Sequence, residues 1–147
     1  PSKRIEDVDV EYNIGISKDF NVFELQKAIG IKDFVKANQI INYFGDNPND
    51  NPIFMTIVIL YGYYTKLLKL HFSRDKSKNN IATVLGVNPF FVNDYLEAAR
   101  NYSWTDCMNC ISVLREYDLK SKGYNSSSDV TQKELYREML YRLMNAV

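Results

Sequence analysis

Apolar residues recur along the chain at every third or fourth position, the spacing of one face of an α-helix. Phe34, Ala37, Ile41 and Phe44 predict a helix over about 32–44. Leu135, Met139 and Leu143, with Leu140 and Met144 beside them, predict a last helix. The stretch from Ile53 to Phe72 is apolar on nearly every side at its start, which predicts a helix central to a bundle. No alternating pattern bounded by hairpin turns is present.

Local punctuation sets the ends. Asn21 with Glu24 has the form of a capping box and opens a helix over 22–29, with Gly30 as its expected C-cap. "GDNPNDNP" (45–52) is turn chemistry. Ser77 or Asn80 can cap a helix over 81–85 that ends at Gly86, and Asn88-Pro89 opens the next, with Phe91, Tyr95, Ala98 and Ala99 on one face. Ser103 with Asp106 starts a helix that presents Cys107, Ile111 and Leu114 and ends near Lys122-Gly123. Residues 124–129 form a loop, and Thr131 with Glu134 is a further capping box. The expectation is an all-α fold, an irregular bundle of six or seven helices. Residues 1–20 read as a lead-in, a short helix or extended segment; residues 21–147 read as the helical domain.

Composition narrows the functions. The chain carries 18 basic and 18 acidic side chains, without the basic excess of a dedicated nucleic-acid binder. Aromatics reach 14%, and tyrosine-rich surfaces suit partner interfaces. Two cysteines make no disulfide framework, which fits a reducing, cytoplasmic setting. The charge-free run Ile53 to Thr65 falls short of the roughly 20 apolar residues that span a bilayer, so no membrane association is expected. The start Pro1-Ser2-Lys3 reads as an excised piece of a longer protein.

Candidate chemistry is sparse. None of the six glycines falls in a phosphate-cradling G-x-x-x-x-G-K-[ST] frame. Cys107-Met108-Asn109-Cys110 is a CxxC, but no strand precedes it and no second ligand pair accompanies it, so both thiols read as small packing residues. His71 lacks catalytic partners and reads as a helix-end residue. The segment 66–78 is locally basic, and Lys66, Lys69, Arg74, Lys76 and Lys78 are candidate DNA phosphate contacts. Residues 82–102 have helix-turn-helix spacing. Yet Pro89, Phe90, Phe91 and Val92 occupy the base-reading positions, so Phe90 and Phe91 are expected to pack instead.

Taken together, "IGISKDFNVFELQKAIGIKDFVKANQIINYF", "KNNIATVLGVNPFFVNDYLEAARNYS" and "LREYDLKSKG", in that order, resemble the C-terminal part of the delta subunit of bacterial DNA polymerase III. The wording is most similar to the Bacteroidetes branch. The resemblance implies a helical collar domain that joins delta to the other clamp-loader subunits, of the gamma/tau and delta-prime type. It implies contact with the sliding clamp through an N-terminal domain outside this chain, no cofactor, and no catalysis in this piece. Tyr136, Leu140 and Met144, a second apolar stripe on the last helix, are the candidate subunit interface. A DNA-binding helical domain using 66–78 and 82–102 is the alternative.

Overall fold

A computed structural model describes residues 20–124 and 129–145, and over these the chain is helical without strands. Seven α-helices follow in order: α1 (Val22–Gly30), α2 (Phe34–Asp46), α3 (Ile53–Phe72), α4 (Lys78–Leu85), α5 (Val92–Asn101), α6 (Trp104–Ser121) and α7 (Gln132–Met144), with a 3-10 turn (Pro89–Phe91) before α5. The expected bundle is thus borne out. The reading of the lead-in falls outside the described residues apart from Phe20, as does most of the loop after Tyr124.

The long helix α3 organises the rest. Its most extensive neighbour is α6, while α7 packs between α2 and α6, and α1, α4 and α5 cover the other flank of α3. One side of α3 contributes Ile53, Thr56, Ile57, Leu60, Tyr63, Tyr64, Leu67 and Leu70 to the core. By length and composition alone α3 could cross a membrane, but a core helix passes the same test, and this one is packed along one side.

Both ends of α3 and the last turn of α1 are satisfied by side chains from outside their own helices. Pro52 caps α3 without a side-chain acceptor. The Ile53 N–H instead donates to Gln132 Oε1 at 3.1 Å, on the first residue of α7. The buried Thr56 hydroxyl donates to Tyr136 Oη at 2.7 Å, and Tyr136 in turn donates to the Asn51 carbonyl at 2.8 Å. At the other end of α3, the Lys76 ammonium donates to the carbonyls of Leu70, His71 and Ser73, a cation placed on the negative end of the helix. The last carbonyls of α1 are taken by the α5–α6 junction: Asn101 Nδ2 donates to Gly30 O at 2.8 Å, and Tyr102 Oη to Ile29 O at 3.0 Å.

Two boundaries differ from expectation. Gly30 does not take the left-handed conformation; Lys32 does, with φ of 57°. Gly30 is needed for space instead, because Tyr63 lies against it: a Cβ there would stand 2.3 Å from Tyr63 Oη and 3.1 Å from Ala98 Cβ. The segment after Asn88 begins as a 3-10 turn rather than directly as an α-helix, although Asn88 Oδ1 does accept from the Phe90 N–H at 2.8 Å. Ser77 stands at the head of α4, which begins at Lys78, but makes no side-chain cap bond; four other caps follow the sequence. Asn21 accepts from Phe23 and Glu24, Gly86 is left-handed, Ser103 and Asp106 bond reciprocally, and Thr131 accepts from Glu134.

Gly30→Ala is expected to lose about 1–3 kcal/mol to overpacking. Gly62→Ala, mid-helix with nothing within 4 Å of its Cβ position, should gain roughly 0.5–1 kcal/mol from helix propensity. Urea midpoints of opposite sign for the two variants are the expected result.

Burial raises the hydroxyls of Tyr63, Tyr64, Tyr102 and Tyr136 above the ordinary phenol value. Folding therefore favours the neutral phenol. That stability is present below the unfolded pKa of about 10 and is lost as pH rises above it. The urea midpoint should fall steeply above roughly pH 10. If all these phenols ionised near their ordinary value with the fold intact, the packing described here would be wrong.

Candidate functional site

The residues singled out in the sequence do not gather into one site. Tyr136, Leu140 and Met144 are buried against the chain's own helices, so they are core and not a free interface. The reason is the position of α7: with α2 on one side and α6 on the other, both of its apolar stripes face inward. Among the candidate phosphate ligands, Lys76 is engaged with the end of α3, and Lys66 borders an apolar groove. Lys69, Arg74 and Lys78 are exposed. The helix-turn-helix segment presents Phe90 and Phe91 outward, at 78% and 48% exposure; they are not the packing residues the sequence suggested. The 3-10 turn explains this, because it lifts both rings off the register that buries Val92, Tyr95 and Ala98.

His71 serves the fold: its Nε2–H donates to the Tyr102 carbonyl at 2.6 Å. Cys107 and Cys110 are buried and free. Desolvation pushes each thiol up to about 12, the opposite of an activated thiolate. Among the described residues no group of three or more His, Cys, Asp or Glu could hold a metal ion.

What the fold does expose is the outer face of α3. Phe54, Met55, Val58 and Tyr61 project from it, with Val58 67% exposed. These positions recur at helical spacing, so they form one continuous stripe. Gly62, at the centre of the helix, leaves a gap beside them. Between this stripe, α1 and the 3-10 turn runs a groove of about 730 Å³, lined by Phe23, Ile31, Val58, Tyr63, Phe90 and Phe91, with Glu24, Lys27, Lys66 and Asp94 also bordering it. On the other flank a second groove of about 470 Å³ runs between Phe54, Val58 and Tyr61 and the α6 residues Leu114, Arg115 and Asp118, with Lys122 just past the end of α6. Val58 belongs to both, so the stripe is a ridge with a groove on each side. This shape receives a further helix by ridge-into-groove packing. Taking aromatic side chains at roughly 150–250 Å² each, half exposed, the ridge and its flanking rings offer on the order of 700 Å², close to one side of a standard protein interface. Sequence reading missed this face because an all-round apolar helix was taken as wholly buried. Its signal was the absence of charge from Ile53 to Thr65, more than the remaining short helices could cover.

The thiols provide a check on this placement. In the native chain Cys107 and Cys110 should resist a thiol-specific reagent at mildly alkaline pH, and both should react fully once urea unfolds the chain; rapid native labelling would contradict their burial.

No curated protein and no solved structure matches the chain. A family model described as "DNA polymerase III delta subunit, C-terminal domain" matches residues 19–141, which takes in every helix from α1 to most of α7. The chain therefore belongs to the family of C-terminal domains of the DNA polymerase III delta subunit.

Proposed function

We propose that this domain is an assembly module that holds the delta subunit in the clamp loader, with the α3 ridge as the surface that meets neighbouring subunits. The observation that carries the reading is the uncharged apolar ridge itself. A monomeric helix of this kind normally turns polar residues to water, whereas α3 turns Phe54, Met55, Val58 and Tyr61. Contiguous apolar surface of this extent marks an interaction site. In this reading the neighbours are of the gamma/tau and delta-prime type, in the cytoplasm, and another part of delta engages the sliding clamp. The domain's contribution is to position, with no chemical step of its own. A helix-turn-helix reading gains nothing from the geometry, since the residues at the base-reading positions are Pro89, Phe90 and Phe91.

Co-purification with the other loader subunits tests this. Val58→Glu and Phe90→Ser alter exposed positions, so the thermal midpoint should stay within the change expected of about 0.5 kcal/mol. Each should lower retention in the complex at least tenfold, because a charge or hydroxyl placed in a desolvated interface is left without a partner. Retention equal to the parent chain for both variants would sink the assignment of this face.

A further inference from the structure

A second group of exposed side chains, at the far end of α3, has a different chemistry. Phe72 closes α3 and Trp104 opens α6; they are 69% and 53% exposed, and their ring centroids lie 6.1 Å apart with planes at 47°. The His71–Tyr102 hydrogen bond ties the end of α3 to the turn just before Trp104 and so fixes the two rings relative to each other. The charge around them is mainly positive. Lys69 lies one turn before Phe72 on the same face of α3, Arg74 follows two residues later, and Lys78 opens α4. None of these three makes an ion pair among the described residues. The nearby acids, Asp75 and Asp106, are held by backbone donors of their own turns and pair with none of these cations: Asp75 Oδ1 accepts the Ser77 N–H at 2.9 Å, and Asp106 Oδ2 accepts the Ser103 N–H at 3.0 Å.

We propose that this end of the domain binds single-stranded nucleic acid, with Phe72 and Trp104 stacking on unpaired bases and Lys69, Arg74 and Lys78 meeting the phosphates. Exposed rings beside unpaired cations are the two components of such sites: the rings accept any base face, and the cations track the backbone. A duplex fits poorly, because its bases are stacked on one another and present no free face. A protein partner fits less well than on the α3 ridge. The patch is small beside the roughly 800 Å² of a standard interface half, and burying its lysines and arginine would carry a desolvation cost. The inference is independent of the assembly role, which uses the other end of the same helix.

Trp104 is the chain's sole tryptophan, so its emission reports directly on the site. The 147-residue chain is titrated with oligothymidine of about ten nucleotides at low salt, and with a duplex of equal length. Saturable quenching by the single strand is expected, with affinity falling steeply as salt is added. Phe72→Ala should weaken binding on the order of tenfold. Lys69→Glu combined with Arg74→Glu should weaken it at least as much and flatten the salt dependence. All these positions are exposed, and thermal midpoints of the variants establish that they remain folded. Three results would overturn the proposal: no quenching; binding lost on charge reversal but indifferent to Phe72→Ala, which is phosphate attraction without stacking; or emission that responds to the loader subunits and not to the oligonucleotide.

Discussion

Everything in this domain depends on covering one side of α3. Twenty residues of predominantly apolar helix cannot stand alone in water, and eight of them are buried by the other helices. At roughly 1.5–3 kcal/mol for each large side chain taken from water, this one face outweighs any single polar contact in the molecule. The partners are then assigned by geometry. The longest remaining helix, α6, lies along α3, and shorter ones fill the sides. Among the described residues no further element wraps the opposite side, and that side is where the apolar ridge remains open.

Tyrosine is the residue that makes this arrangement workable. Tyr136 and Tyr102 are fully buried rings whose hydroxyls each reach a main-chain carbonyl, of Asn51 and Ile29. Phenylalanine would fill the same volume but leave a helix end or turn unsatisfied. Tyr63 uses its bulk differently, coming so close to α1 that only glycine fits at position 30. Interior packing and the closing of helix ends are therefore the same contacts, which is why the chain holds so many short helices in one arrangement with both cysteines free.

The helices were legible in the sequence because their signals are local. The span of α3 was read to the residue, and the caps at Asn21, Asn88, Ser103 and Thr131 are side chains bonding to the backbone within three positions. Gly30 was misread because its constraint comes from Tyr63, which is distant in sequence and carries no local mark. The stripes of α7 and the rings at Phe90 and Phe91 were assigned to the wrong environments for a related reason. Periodicity tells which residues share a face but not how many faces the fold covers. On α7 both stripes are covered, on α3 one side is open, and the 3-10 turn before α5 shifts two rings out of register with the helix that follows. Lys76 was counted as free charge in a basic run, whereas the carbonyls of an unfinished helix end had already claimed it.

The exposed length of α3 is divided by charge. From Phe54 to Tyr61 its open face has no side chain charged at neutral pH, so a partner can remove it from water at the cost of little more than backbone and side-chain ordering. From Lys66 onward the same helix carries Lys66, Lys69 and, past its end, Arg74; removing these from water would cost several kcal/mol per ion unless each met an opposite charge. A hydrophobic protein surface and a polyanion therefore cannot exchange places on this helix. The first is excluded from the cationic end by desolvation. The second finds on the crest of the ridge itself, at Phe54, Met55, Val58 and Tyr61, no cation for its phosphates. One helix can thus offer surfaces to two ligands of opposite character without competition between them, and the boundary lies at Lys66, the first lysine of α3.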